Sequence, residues 1–397
     1  MKIGLIAWER FSYGGVSRII SSVVNELLLN NEIELKILCL KEKNFFQNVY
    51  GIDVNRVEFT FMELSNTQKA RREVANRLYE TVVKTGSKKL LYYYPYMKYA
   101  SSYLNKMVSW INQNEFDIVM FSSGFEDCIQ LAIIKERISP HVKLIGWSHA
   151  SFKDYFREDR RWCSEGNKRL WSHYYKNFDA IVVLSDADVE YCKQYLGLEA
   201  VRIYNSNSFL PHSKSTLNNK KFVYVGSLSE NKGYDLMVDA FVEFAKVNKE
   251  WSIDIYGEGP GREYVTNSVR MNNLDNRMYL YNYTTNVEKI YCEHDILIFP
   301  SRYEGFGIVQ IEAASCGLPV IAADLPVTRE LIGKYHYGEL SNWNDSQSLT
   351  KTMLRMIDKD LKVYSDNGIK AAKDFKIEII AKQWLTLFKM LLNEKKN

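Results

Sequence analysis

The sequence predicts an α/β chain built from two doubly wound parallel sheets in series, and three observations carry that prediction. Apolar runs of strand length alternate with segments of helical period along most of the chain. The alternation is interrupted once by a polar stretch and then restarts. The 397 residues, 46% hydrophobic and 25% charged, are enough for two domains that each bury a core. The same composition excludes several classes. Six scattered cysteines without a CxxC pair argue against a disulfide scaffold or a zinc site and read as reduced thiols. The 52 Lys and Arg against 48 Asp and Glu leave only +4, so a uniform basic coat for nucleic acid is not expected. The apolar start at Met1 is cut off by Glu9 and Arg10, and no window approaches the ~18 apolar residues of a membrane span. The expectation is a cytoplasmic protein that meets a membrane, if at all, at its surface.

The elements follow in order. Lys2 to Trp8 is a buried-strand run. After Gly14-Gly15, the apolar residues Val16, Ile19, Ile20, Val23, Val24 and Leu27 fall on one helical face, and Ile33 to Leu40 begins the next strand, which completes a βαβ unit. Runs at Asp117 to Phe121, Val142 to Trp147, Ala180 to Leu184 and Val201 to Tyr204 extend the first sheet. The stretch SNSFLPHSKSTLNNKK after Asn205 reads as a linker. The second sheet is expected from Phe222 to Val225, Trp251 to Tyr256, Met278 to Tyr281, Asp295 to Phe299 and Leu318 to Ala322, so each half is Rossmann-like. A last helix carries Ile377, Ile380, Ala381, Trp384, Leu387, Phe388 and Leu391 on one wide apolar face that must pack against something.

Ligands of open parallel sheets bind at the carboxyl ends of strands, and four such places carry candidate chemistry. Gly14-Gly15 leads the first helix, where missing side chains let a phosphate approach backbone N–H groups; the plain alternative is a turn needed only for packing, and WERFSYGG is not a GxGxxG dinucleotide motif. His149 follows the strand KLIGWS and is placed to hydrogen-bond a substrate hydroxyl. Lys232, in the loop GSLSENKG after KFVYV, is a natural counter-charge for a diphosphate, although a loop lysine is often only solvated. The most specific place is PSRYEGFGIVQIEAA, in which a strand ends, a glycine-rich loop exposes N–H groups and a helix begins, with Glu304 in the loop and Glu312 two helical turns beyond it.

These residues resemble a known family. Glu304 and Glu312 with seven residues between them, VGSLSENKG, Ile255-Tyr-Gly-Glu-Gly-Pro260, Phe299-Pro-Ser301 and Cys316-Gly-Leu-Pro319 are similar to the motifs of the retaining glycosyltransferases of family 4. The first half matches mainly through Gly14-Gly15, His149 and Val183-Leu-Ser185. The resemblance implies the GT-B fold: two Rossmann-like domains facing a cleft, the first spanning 1–205 plus 376–397 because the terminal helix crosses back, the second spanning 206–375. It also implies residue roles. Gly14 and Gly15 meet the donor phosphates, Lys232 neutralises the diphosphate leaving group, and Glu312 binds the ribose hydroxyls. Glu304 lies beside the transferred sugar, the backbone of Gly305, Phe306, Gly307 and Ile308 holds sugar and phosphate, and His149 contacts the sugar; Ser227 and Gly257 complete the donor set.

One position departs from the family. An arginine usually follows the glycine at the end of the Phe222 to Gly226 strand, and here it is Ser227, which would weaken charge stabilisation unless Arg18 or Arg302 substitutes. The pair Asp186 and Asp188 is of a type that can hold a metal, but it follows Ser185 at a helix start, where capping explains it; no metal or other cofactor is expected.

Residues 60 to 110 hold nine bases and three acids, a local +6, interleaved with tyrosines. Lys88, Lys89, Tyr93 and Tyr94 are therefore candidates for an acceptor or anionic-membrane surface, against the plain alternative of a solvated helix face. A second aromatic and basic stretch, 152 to 175, follows His149. The expected function is a retaining, metal-independent transferase that moves a hexose or N-acetylhexosamine from a nucleotide sugar, chiefly a UDP-sugar, to a saccharide, lipid-linked or protein-linked acceptor. It would work in cell-surface glycan synthesis on the inner face of the cell membrane, as a homo- or hetero-oligomer if it assembles. The alternatives are a non-catalytic GT-B partner subunit, which Ser227 motivates, and a nucleotide-sugar epimerase, for which no acid/base set is identified.

Overall fold

The structure is a computed structural model that describes residues 1–7, 14–40, 51–53, 55–155 and 165–393. Contacts divide the chain into two units, Met1–Ser206 with Ile377–Asn397, and Asn207–Lys376. The first unit is a parallel sheet of β1 (Lys2–Ile6), β2 (Glu34–Leu40), β3 (Glu58–Met62), β4 (Ile118–Ser123), β5 (Lys143–Ser148), β6 (Ala180–Val183) and β7 (Val201–Arg202). Their order is β3-β2-β1-β4-β5-β6-β7, and every pairing is parallel. The second unit holds β8 (Lys221–Val225), β9 (Ser252–Tyr256), β10 (Met278–Tyr281), β11 (Ile296–Phe299), β12 (Val320–Ala323) and β13 (Gly338–Ser341), in the order β10-β9-β8-β11-β12-β13, again parallel throughout.

The α/β expectation therefore holds, with one addition to each sheet. The strands β3 and β13 were absent from the pattern, and both lie at an edge. The interior strands are readable because helices cover both faces: β4, β6, β11 and β12 are buried at every position.

The helix α1 (Gly15–Leu27) buries Ile19, Ile20, Val23, Val24 and Leu27, the stripe its sequence presents. The terminal helix Ile377–Asn393 belongs to the first unit and buries Ile380, Ala381, Trp384, Leu387, Phe388 and Leu391 there. Trp384 is wholly buried and meets Trp147 of β5 edge to face, with ring centroids 4.8 Å apart.

Helices α2 (Asn66–Lys84) and α3 (Lys88–Lys98) carry most of the basic, tyrosine-rich segment. Arg71 bonds the carbonyls of Tyr96 and Met97, so the two run antiparallel. Five cysteines in described residues are free thiols; Cys163 lies outside those residues. Among the described residues no helix is long and apolar enough to cross a membrane.

Candidate active site

In the second unit β8 and β11 are neighbours, so the loops that leave their carboxyl ends are neighbours too. The first loop runs from Gly226 through a 3₁₀ turn at Glu230–Lys232 and opens the helix Tyr234–Val247. The second, from Pro300 to Gly307, opens the helix Ile308–Ser315. Their approach needs glycine. Gly233 has φ of 66°, and a Cβ there would lie 2.1 Å from the carbonyl oxygen of Pro300. One loop further along the sheet, a Cβ on Gly257 would lie 1.9 Å from the carbonyl oxygen of Gly226.

This packing brings two of the predicted residues together. The Lys232 ammonium donates to Glu304 Oε1, and the Ser301 hydroxyl donates to the same oxygen at 3.0 Å. The Glu304 side chain is 9% exposed and that of Lys232 is 38% exposed, so the ammonium sits at the rim and the carboxylate behind it. Ser227 Oγ lies 2.9 Å from Ser229 Oγ and brings no charge. The loop is shaped from below by Tyr224, whose hydroxyl donates to the Ser227 carbonyl at 2.9 Å and leans to that of Lys232 at 3.4 Å. Burial, with Glu304 and Asp235 nearby, pushes this phenol far above its usual range, so it remains a donor.

Arg302, one of the two cations considered as a replacement for the family arginine, is committed elsewhere. It forms a bidentate fork with Asp235 at 2.7 and 2.6 Å. The other, Arg18, lies in α1 of the first unit.

Beyond the loop, Gly307 caps the helix Ile308–Ser315 in the left-handed region, with no side-chain cap and no acid in the first turn. The junction is held by Gln310, which donates to the Phe306 carbonyl at 2.9 Å and accepts from the Tyr337 hydroxyl at 2.9 Å. Such a helix start presents the positive end of the dipole, which suits a phosphate, while the Gln310 N–H is given to the Gly307 carbonyl at 3.1 Å. Glu312 follows on the same helix and is fully buried. Its Oε1 accepts from Ser208 Oγ and its Oε2 from the Tyr291 hydroxyl at 3.1 Å.

In the first unit, His149 follows β5 and is half-buried. Its Nε2 lies 2.8 Å from Ser122 Oγ at the end of β4, and its ring centroid 4.6 Å from that of Trp147. Asp188 holds the segment that follows. It accepts from Ser151 Oγ at 2.9 Å, the Lys153 N–H at 3.0 Å and Ser185 Oγ at 2.9 Å. Burial raises this carboxyl despite these donors and the Phe152 N–H. Ser185 accepts from the Asp188 N–H at 3.1 Å, and Asp186 pairs with Arg202 at 2.6 Å, so the Asp-x-Asp pair is occupied by capping and packing.

Gly14 caps α1 with φ of 144°, and Gly15 opens it, while Trp8 to Tyr13 and residues 156 to 164 of the second aromatic stretch lie outside the described residues. Lys88, Lys89 and Tyr93 are exposed on α3. Tyr94 is not a surface residue. Its ring packs on Tyr79 with centroids 4.4 Å apart and its hydroxyl reaches Asn76 at 3.2 Å, because Leu91, Tyr94, Pro95 and Lys98 form the inward stripe of the helix.

Sequence reasoning missed Tyr224, Asp235, Ser301, Ser208 and Tyr291. Ser301 lies in the motif Phe299-Pro-Ser301 and Asp235 in the first turn of the helix that follows the Lys232 loop, so both were within reach. Ser208 and Tyr291 are 104 and 21 residues from Glu312, and no local pattern marks them.

Two family models match the chain: "Glycosyltransferase Family 4" over residues 13–206 and "Glycosyl transferases group 1" over residues 208–375. An uncharacterized glycosyltransferase of Haemophilus influenzae is 27% identical over 239 residues, which cover 54% of this chain and 67% of that protein. The lipopolysaccharide core biosynthesis mannosyltransferase LpsB of Rhizobium meliloti is 28% identical over 197 residues, covering 42% of this chain and 48% of that one. Across the first curated relatives the match covers between 24% and 86% of their length. Anabaena HepE in complex with UDP superposes with a TM-score of 0.74 at 16% identity over 98% of this chain and all of that chain. At that identity the likeness establishes the GT-B fold.

Proposed function

The chain belongs to the group 1, family 4 glycosyltransferases, and from that premise we propose that it transfers a hexose or N-acetylhexosamine from a UDP-sugar with retention of configuration. The observation that carries this reading is the contact of Lys232 with Glu304 at the carboxyl ends of adjacent strands, beside the uncapped start of the helix Ile308–Ser315. In the proposed mechanism the donor diphosphate takes the Lys232 ammonium from Glu304, while the N–H groups from Gly305 to Ile308 bind phosphate and sugar. The buried Glu312 exchanges the Ser208 and Tyr291 hydroxyls for those of the ribose. Glu304, released from Lys232, faces the positive charge that develops on the sugar as the diphosphate departs. Charge stabilisation is assigned to Lys232 and the helix start, with no metal. Gly14, Gly15, Gly257 and His149 keep the donor contacts that the resemblance gives them. The UDP bound to HepE supports the choice of nucleotide.

The acceptor is proposed to be a saccharide, lipid-linked or protein-linked, received by the first unit in cell-surface glycan synthesis. LpsB, by its name, acts in such a synthesis. The exposed residues Lys88, Lys89, Leu90 and Tyr93 on α3, with Val74 and Leu78 on α2, fit an anionic membrane surface.

Hydrolysis of a panel of nucleotide sugars tests the reaction. Turnover with a UDP-sugar is expected, and Glu304→Ala should lower it by ~10²-fold or more. No turnover with any donor, and no effect of Glu304→Ala, would instead support the partner-subunit reading that Ser227 favours. Flotation with vesicles of anionic lipid tests the surface: replacing Lys88 and Lys89 by Glu is expected to release the protein, and equal flotation of both forms would count against a membrane role.

A further inference from the structure

We infer that Arg302 is a positioning residue for the transfer step, one that holds the turn bearing Lys232 in register with the loop bearing Glu304. The inference rests on the roles proposed above for those two residues. Arg302 stands two residues before Glu304, and its side chain is 14% exposed. Besides the two bonds to Asp235, its guanidinium donates to the Glu230 carbonyl at 2.7 Å and to Asn344 Oδ1 at 2.7 Å. Its backbone is tied on both sides as well. The Arg302 N–H donates to the Asn231 carbonyl at 2.9 Å, and its carbonyl accepts from Trp343 Nε1 at 3.0 Å. One residue therefore joins the segments that follow β8, β11 and β13.

The grip falls on the residues next to Lys232. Glu230 and Asn231 immediately precede it within the 3₁₀ turn, and Asp235 stands three residues after it in the first turn of the next helix. Burial pushes the Asp235 carboxyl up, but the Arg302 fork outweighs it and holds the group below its usual value, while the same bonds raise Arg302. The fork therefore stays ionised at neutral pH. A lysine at this position has a single ammonium head, which cannot span both Asp235 oxygens, the Glu230 carbonyl and Asn344. The partners of Arg302 lie on the turn bearing Lys232, the first turn of the helix after it and the segment after β13, so its effect on donor binding in the ground state should be small. The Lys232 position, in contrast, matters most as charge builds on the leaving diphosphate, where a displacement of about 1 Å costs ~10²-fold.

A double-mutant cycle separates this role from general support of the fold. Steady-state transfer kinetics and UDP binding by calorimetry would be measured for wild type, Arg302→Lys, Lys232→Ala and the double variant. Arg302→Lys is expected to lower kcat about ten- to hundredfold with donor KM within about threefold of wild type, and to weaken the binding of UDP, which carries the charge of the departed diphosphate, more than that of the donor. In the Lys232→Ala background the same change should cost almost nothing further. Asp235→Asn should reproduce the pattern, and it carries the cycle if Arg302→Lys does not fold. A Lys232→Ala enzyme that loses turnover, with Arg302→Lys still costing its full factor in that background, would overturn this inference alone. Undiminished turnover in Lys232→Ala would overturn the role of Lys232 and this inference with it.

Discussion

Lys232→Ala is expected to lower kcat for sugar transfer by ~10²- to 10³-fold, the range found when a donor to a developing oxyanion is removed. Two observations place so much weight on one side chain. The family arginine position is Ser227, whose hydroxyl lies against Ser229, and Arg302 is locked in its fork with Asp235. In the proposed mechanism the charge on the departing diphosphate therefore falls chiefly on Lys232 and the helix start, with Arg18 of the first unit the other candidate cation. Because that charge develops in the transition state, the loss should appear in kcat more than in KM. Lys232→Arg should recover part of the rate, since it keeps the charge but not the point geometry. Ser227→Arg in the Lys232→Ala background should recover part as well, because it restores the cation the family carries. Steady-state kinetics with a UDP-sugar decide the matter, and a Lys232→Ala kcat within threefold of wild type would remove Lys232 from the mechanism.

His294→Leu is expected to destabilise the second unit by about 3 kcal/mol, the upper end of the cost of leaving a buried polar group without its hydrogen-bond partner. His294 and Asp254 are only 1% and 2% exposed. The ring bonds the Ile290 carbonyl through Nδ1 at 2.6 Å and Asp254 Oδ2 through Nε2 at 2.9 Å. Removing it leaves a buried carboxylate whose remaining cation, Lys221 at 3.3 Å, is 38% exposed. The corresponding fall in melting temperature for a unit of this size is ~6–12 °C. Replacing both residues by Leu should recover part of it, since the uncompensated charge is then gone.

Burial pushes the Asp254 carboxyl up, but His294 and Lys221 outweigh it and hold the group below its usual value. Its stabilisation is therefore complete above the unfolded carboxylate pKa of about 4 and is lost as pH falls through the lower folded value. Denaturant unfolding at several pH values would show this as a steeper acid loss in wild type than in the double Leu variant. Equal slopes would deny the pair that role.

The parts of the fold that the sequence disclosed are those whose pattern is local. Strands such as IVMFSS and ILIF are buried on both faces and read as apolar runs. The strand EFTFM, buried fully only at Met62, and the strand GELS, with one large apolar residue, do not. Each is an edge strand whose existence depends on its partner, β2 in one case and β12 in the other. The candidate site divides in the same way. Lys232, Glu304 and Glu312 stand out because glycines and strand ends surround them. The groups that orient them arrive from far along the chain, as Ser208 does to Glu312 across 104 residues. Tyr93 and Tyr94 mark a third limit. In KKLLYYYPYMK apolar residues surround the whole helix, so no phase is preferred until α2 chooses the inward side.

The terminal helix gives the chain an order of completion. The second unit is continuous in sequence, from 207 to 376, and has every one of its strands once that stretch has been synthesised. The first unit has the seven strands of its described residues by residue 202, yet Trp147 and the buried face of α1 wait for a helix that begins at Ile377. During synthesis the earlier half must hold an open apolar seam while the later half folds, so the half made first is the one closed last.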